Sequence, residues 1–274
     1  ATKHNYLVKD INDVGRIMNE AFYVAATGRP GPVLVDIPKD ILNAKGMYKG
    51  KSQVKRHSYN PVKKPLQKQI ERAVSLMARA KKPVFYVGGG VVNAGASDAL
   101  CKFVRMTGFP CTTTLMGLGA FPTDDKQSLK MLGMHGSLEA NMAMAECDVM
   151  INLGARFDDR VTGRLDGFSP NSKKIHVDID ASSINKVVRV DVPVVGDVGE
   201  VIEMMMALWK KQKPALNKAA LAKWWKQIDE WRARDSFGFG ESKRIIKPQA
   251  ALRSLDKALG KKDFYVTTDV GQHQ

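Results

Sequence analysis

Five short apolar runs in this chain each end on glycine, aspartate or a small polar loop, and stretches with helical spacing separate them. Pro83–Val87 leads into Gly88, Gly89 and Gly90, and Pro110–Thr114 into Leu115, Met116 and Gly117. Asp148–Leu153 leads into residues 154–160, Ile175–Val177 into Asp178, Ile179 and Asp180, and Val192–Val195 into Gly196 and Asp197. Strands alternating with helices call for right-handed crossovers, hence an α/β fold built on a doubly wound parallel sheet. The carboxyl ends of parallel strands lie along one rim, where ligands of open α/β sheets bind. A nucleotide-sized cofactor on that rim is therefore the first expectation.

The helical stretches carry apolar stripes. Ile70, Ala73, Val74 and Met77 stripe one helix; Leu100, Phe103 and Val104 stripe a second, with Ser97 as N-cap; Ser137 caps a third carrying Met142 and Ala145. Upstream, Val14, Ile17, Met18, Ala21, Phe22 and Ala25 predict a helix within residues 10–27, and Val33–Asp36 a short buried strand. This one αβ unit is too small to stand alone. Both ends of the chain read as cut from something longer. Residues 43–65, rich in Lys, Gly, Ser and Pro, read as a linker. After Glu200 comes a helix with Val201, Ile202, Met205 and Leu208, then one over 217–234 presenting Trp224, Ile228 and Trp231, read as packing against a neighbouring domain. Pro248 starts a helix through Leu259, and Phe264–Thr268 reads as a final strand.

Charge and cysteine usage narrow the class. The net charge of +15 suits either a polyanion partner or a lysine-rich solvated surface. The lysines are scattered, without the aromatic-interleaved basic stripe of RNA binders, so a solvated surface is expected. Cys101, Cys111 and Cys147 show no C-x-x-C spacing and read as reduced thiols of a cytoplasmic protein. No apolar run approaches the roughly 18 residues of a membrane span.

Candidate chemistry sits at the strand ends. The glycines at 88–90 either make a tight turn or admit a ligand close to the backbone. Asn93 stands where G-x-G-x-x-G needs glycine, and no G-x-x-x-x-G-K-[ST] loop occurs. Arg156, Asp158, Asp159 and Arg160 form either a surface ion-pair cluster or a clamp, arginine for phosphate and aspartate for ribose hydroxyls. His135, flanked by glycines before a helix, would be exposed beside the same rim. There is no G-x-S-x-G, no H-E-x-x-H and no Cys/His set with metal spacing. On residue types alone the chain is a cofactor binder without a visible catalyst.

Six segments in order, GRPGPVLVDIPKD from Gly28, KPVFYVGGG from Lys82, TLMGLG from Thr114, MLGMHG from Met131, GARFDDRVTG from Gly154 and VGQHQ from Val270, make the chain resemble the catalytic subunits of the acetohydroxyacid (acetolactate) synthase family. The resemblance runs through essentially the whole chain. It implies the tail of a pyrimidine-binding domain (1–42), a linker (43–65), a central Rossmann-like FAD-binding domain (66–212), a linker helix (213–241) and the start of a diphosphate-binding domain (242–274).

Carried over by motif, FAD contacts fall on Arg29, Gly88, Gly89, Gly90, Thr114, Leu115, Met116, Leu132, Met134, His135, Gly154, Arg156, Asp158, Arg160, Val161, Asp178, Ile179, Asp197 and Val198. Lys39, Met134, Asp159 and Arg160 match the substrate and inhibitor channel, and Val270, Gly271, Gln272 and His273 a loop near thiamine diphosphate. The family's reaction decarboxylates pyruvate and joins the two-carbon unit to a second 2-oxo acid, for branched-chain amino-acid biosynthesis; its FAD takes no net redox part. The resemblance implies thiamine diphosphate, Mg2+, a homodimer or homotetramer and a small regulatory subunit, with no nucleic acid and no membrane. The activating glutamate belongs upstream and the Gly-Asp-Gly…Asn motif for Mg2+ downstream; Gly196-Asp197-Val198 is not that motif, so these residues alone are expected to be inactive. Competing expectations are another FAD-containing thiamine enzyme (a glyoxylate carboligase or pyruvate oxidase), a non-catalytic FAD-binding module, or nucleic-acid binding through the positive charge.

Overall fold

The computed structural model describes residues 1–48, 50, 59–61, 64–242, 244–260 and 262–267. Near the start, β1 (His4–Leu7), α1 (Val14–Ala26) and β2 (Val33–Asp36) form a parallel two-stranded unit, followed by α2 (Lys39–Asn43). The larger unit runs α3 (Gln67–Ala78), β3 (Pro83–Val87), α4 (Gly89–Asn93), α5 (Ser97–Thr107), β4 (Cys111–Thr113), β5 (Ser128–Met131) and α6 (Leu138–Glu146). It continues with β6 (Val149–Leu153), α7 (Asp159–Thr162), β7 (Lys173–Asp178), β8 (Val192–Val195), α8 (Val198–Gln212) and α9 (Lys218–Arg232); α10 (Pro248–Leu259) lies beyond.

Six strands pair in parallel in the order β5-β4-β3-β6-β7-β8. The chain winds outward from β3 to β5, then returns to the other side of β3 at β6, so the winding reverses between β3 and β6. Side-chain alternation divides the sheet. Phe85, Val87, Ile151, Leu153, Ile175 and Val177 face one way, under the stripes of α3, α5 and α8. Val84, Tyr86 and Met150 face the other way, against α6 and α9. Both faces are covered, which is why the strands are apolar on both. Each fully buried Val, Leu or Ile here contributes about 1.5–3 kcal/mol.

Local signals account for the helix ends. Gly108 closes α5 in the left-handed conformation (φ 74°). Ser137 caps α6 by accepting the Ala140 N–H at 3.2 Å. Asp197 caps α8, accepting the N–H groups of Gly199 (2.9 Å) and Glu200 (3.1 Å).

Five expectations shift. Val33–Asp36 is a strand but not a buried one: it alternates half-buried and exposed residues, with Leu34 exposed. Ser97 is not a cap but the first residue of α5, behind Ala96. The buried stripe of α6 is Ala140, Ala143 and Met144, one position away from Met142 and Ala145. Phe22 of the expected α1 stripe is exposed, because that helix covers only two strands. Phe264–Thr267 has aromatic and β-branched composition but joins no ladder; strand propensity needs a neighbouring strand to become structure.

Helix α9, read from sequence as a link, is a layer of the central unit. Trp224 is buried, donates its indole N–H to the Pro83 carbonyl at 3.1 Å and packs edge-on against Trp231. The surface these tryptophans cover is therefore the sheet immediately upstream. All three cysteines are free, and burial pushes the Cys147 thiol up to about 11. No helix among the described residues is long and apolar enough to cross a membrane.

Candidate functional site

At the reversal of winding, the turn after β3 lies against the turn after β6. Gly88 donates its N–H to the Leu153 carbonyl at 2.9 Å and Gly90 to that of Gly154 at 3.1 Å. A Cβ on Gly90 would sit 2.8 Å from Gly154 Cα, and one on Gly88 would strike the Gly154 carbonyl and Ala155. The neighbouring turn thus demands glycine at both positions before any ligand is considered. This switch point is where open α/β sheets hold nucleotides.

Two further loops crowd the same rim. After β4, Thr114 donates its N–H to Val87 O at 2.8 Å, and its hydroxyl accepts the Gly117 N–H at 3.1 Å. This tight coil leaves Leu115 59% and Met116 75% exposed. After β5, the buried Leu132 donates to Thr113 O at 3.2 Å, and Met134 donates to Arg160 O at 3.1 Å. The β5 loop therefore reaches across β4 and β3 to the loop after β6, and leaves Met134 and His135 exposed.

The β6 loop carries the charge. Arg156 pairs with Asp158 at 2.6 Å, with the arginine side chain 67% exposed. Asp158 also accepts the Arg160 N–H at 3.2 Å, capping the short α7. That backbone bond, with the Arg156 guanidinium, holds the Asp158 carboxyl below the usual carboxylate range. Asp159 and Arg160 are exposed, while Val161 is half-buried over the sheet.

Farther along, Gly154 donates to Val177 O at 2.9 Å, joining the β6 turn to the end of β7. There Asp178 accepts the Asp180 N–H at 2.9 Å and Ile179 is half-buried. Burial draws the Asp180 carboxyl up, but Ser182, Arg29 and Lys186 hold it below its ordinary value on balance. Arg29, from the two-stranded unit, thus lies within electrostatic reach of the rim. Asp197 caps α8, and Val198 is buried in the core. Lys39 opens α2 and is exposed. Positions 270–273 lie outside the described residues. Among the described residues no group of three or more His, Cys, Asp or Glu could hold a metal ion.

Phe157, Asn152 and His176 escaped the sequence reading. Phe157 sits in the middle of the charged loop yet is 2% exposed, with φ at 59°. Asn152 and His176 stand side by side on β6 and β7 beneath it, both fully buried. The available signal was a polar residue two positions before the turn, Asn152 in an otherwise apolar strand and His176 between Ile175 and Val177.

The strand-end loops bring most of the expected residues together. They present guanidiniums at Arg156 and Arg160, carboxylates at Asp178 and Asp180, and exposed apolar surface at Leu115, Met116 and Met134 on one edge. Such an edge can take a ligand that is anionic at one part, rich in hydroxyls at another and apolar at a third.

Residues 70–205 match the family model described as thiamine pyrophosphate enzyme, central domain. Among curated proteins, the chain is 46% identical over 274 residues to the acetolactate synthase isozyme 3 large subunit of Escherichia coli (strain K12), covering 99% of this chain and 48% of that protein. It is 44% identical to the acetolactate synthase large subunit of Haemophilus influenzae, covering 99% and 48%. With the Corynebacterium glutamicum large subunit it shares 43% identity, covering 100% and 43%. The chain spans about half the length of the curated relatives it matches.

Proposed function

From the premise that the chain belongs to the acetolactate synthase large-subunit family and carries the central domain of thiamine pyrophosphate enzymes, we propose that it forms the FAD-holding part of an acetolactate synthase. That enzyme decarboxylates pyruvate and joins the two-carbon unit to a second 2-oxo acid, giving 2-acetolactate or 2-aceto-2-hydroxybutyrate. The observation that carries the reading is the mixed edge at the β3/β6 reversal, where exposed arginines, strand-end carboxylates and exposed Leu115, Met116 and Met134 meet.

The residues present fit FAD. Arg156 and Arg160 bind the diphosphate, since guanidinium groups pair with phosphate through charge-assisted forks. Asp178 and Asp180 accept from ribose hydroxyls, which ionised carboxylates do as pure acceptors. Leu115, Met116 and Met134 cover the ring system and exclude water from it; exposed apolar side chains gathered on one edge mark such a surface. Arg29, Gly88, Gly89, Gly90, Thr114, Leu132, His135, Gly154, Val161, Ile179, Asp197 and Val198 complete the contact set. Lys39, Met134, Asp159 and Arg160 line the approach of the 2-oxo acid, whose carboxylate the lysine and arginine attract.

Thiamine diphosphate, held with Mg2+, supplies the carbon centre at which the 2-oxo acid loses carbon dioxide. Residues 270–273 belong beside it in this reading. The working enzyme is a cytoplasmic homodimer or homotetramer with a small regulatory subunit, and the present residues alone form no acetolactate.

Titrating the purified chain with FAD and following flavin fluorescence tests the reading. Saturable quenching is expected, and Arg156→Ala and Arg160→Ala should each weaken it about tenfold or more, the worth of one charge-assisted contact. Lys68→Ala, on α3, should leave it unchanged. No quenching by the unmodified chain, or equal binding by all variants, would contradict it. Acetolactate formed by the chain from pyruvate, with cofactors supplied, would refute its inactivity alone.

A further inference from the structure

We propose that Asn152 and His176 are positioning residues that hold the Arg156–Asp158 loop in its ligand-facing shape through the backbone N–H and carbonyl of one residue, Ala155. The inference deepens the FAD reading and rests on it for the identity of the ligand.

Parallel register aligns Thr112, Tyr86, Asn152 and His176 as one row across β4, β3, β6 and β7, one residue before the last pair of each ladder. All four are fully buried. Asn152 spends both ends of its amide on one residue: Nδ2 donates to Ala155 O at 2.8 Å, and Oδ1 accepts the Ala155 N–H at 3.0 Å. His176 Nε2 lies 3.1 Å from that same Ala155 oxygen. A carbonyl can only accept, so Nε2 is the donor in this contact. Nδ1 is buried without a hydrogen-bond partner. An unmet buried polar atom destabilises the fold. An apolar residue at 176 would avoid that cost, yet the site keeps an imidazole whose other nitrogen grips the loop.

The grip is needed because the backbone inverts two residues later, at Phe157. This bulky residue occupies the left-handed region, which such residues rarely adopt. Its ring drops between Tyr86 (5.7 Å between centroids), Phe168 (6.1 Å) and His176 (5.0 Å). With Phe157 turned in, its neighbours Arg156 and Asp158 are turned out and meet at 2.6 Å. Ala155 is the last buried anchor before that inversion, and three hydrogen bonds from two strands converge on it. The same Nε2 stands 3.7 Å from Asp178 Oδ2, so the imidazole that bonds the β6 loop also lies beside the β7 carboxylate.

Two readouts test this on the full chain: amide exchange of residues 155–158 without flavin, and FAD affinity. Asn152→Leu keeps the branched shape and heavy-atom count and removes both bonds. It should speed exchange at 155–158 about tenfold and weaken FAD about tenfold, the loss of roughly one hydrogen bond's worth of order. Amides of β3 and β6 should stay protected. His176→Gln, which keeps a side-chain N–H, should preserve both readouts, whereas His176→Leu should lose both. If Asn152→Leu does not fold, the His176 pair decides on the same readouts. Unchanged loop exchange in Asn152→Leu, or FAD loss with loop exchange intact, overturns the proposal. If the unmodified chain binds no FAD while loop exchange rises in the variants, the clamp stands and the FAD reading falls.

Discussion

Gly90 donates its backbone N–H to the carbonyl of Gly154 across 3.1 Å, and through that bond the turns after β3 and β6 become one continuous surface. Neither turn can shift without the other. The glycine-rich and arginine-rich segments, 64 residues apart at these two positions, therefore offer a ligand one edge.

Gly88→Ala tests how tightly that edge is packed. The added methyl meets the Gly154 carbonyl and the Ala155 backbone, neither of which is a flexible side-chain end. Urea unfolding should show a loss of about 1–3 kcal/mol, the usual cost of overpacking. Gly31→Ala, whose methyl would meet only Lys3, with Cβ at 3.5 Å, should change stability by less than about 0.5 kcal/mol. Equal effects from the two would remove the packing explanation of the triplet.

Trp224 tests whether α9 is a layer or a link. Trp224→Phe keeps most of the apolar contact and loses the bond to Pro83 O, for a cost of about 1 kcal/mol. Trp224→Ala should cost about 3–5 kcal/mol. A loss below about 1 kcal/mol for the alanine variant would return α9 to the role of a connector.

Acid sensitivity should trace in part to Asp191. Burial draws its carboxyl up, but the Lys173 ammonium and the Lys174 N–H, each at 2.9 Å, hold it below the ordinary range on balance. Near that range the unfolded chain takes up a proton that the folded chain refuses. The stabilisation is therefore complete above the unfolded value of about 3.9 and lost as pH falls through the lower folded value. Asp191→Asn should be less stable than the parent at neutral pH, and the gap should narrow below about pH 4. A gap in unfolding midpoint that stays constant with pH would show that Asp191 acts through packing alone.

The legible parts of the fold were those where periodicity and punctuation agreed. All five runs that end on turn residues are strands of the central sheet, because apolar side chains on both faces and a glycine or aspartate at the end admit little else. β1 and β5 were missed: His4 and Asn5, and Ser128 and Lys130, break the apolar signal in strands of four residues each. Phe264–Thr267 failed the other way, having strand composition without a neighbour. In the site, Arg156, Asp158 and the glycines could be read because they lie just past strand ends. Asn152, His176 and Phe157 could not, since their role depends on which strands lie side by side and on a left-handed backbone that no residue type announces.

The most direct measurement is amide exchange across the whole chain with and without FAD. A shared crevice at the β3/β6 reversal predicts added protection in three separate segments, 88–90, 114–116 and 154–160, with the helix surfaces of α3 and α9 unchanged. Protection concentrated elsewhere, or in one of these segments without the others, would contradict it.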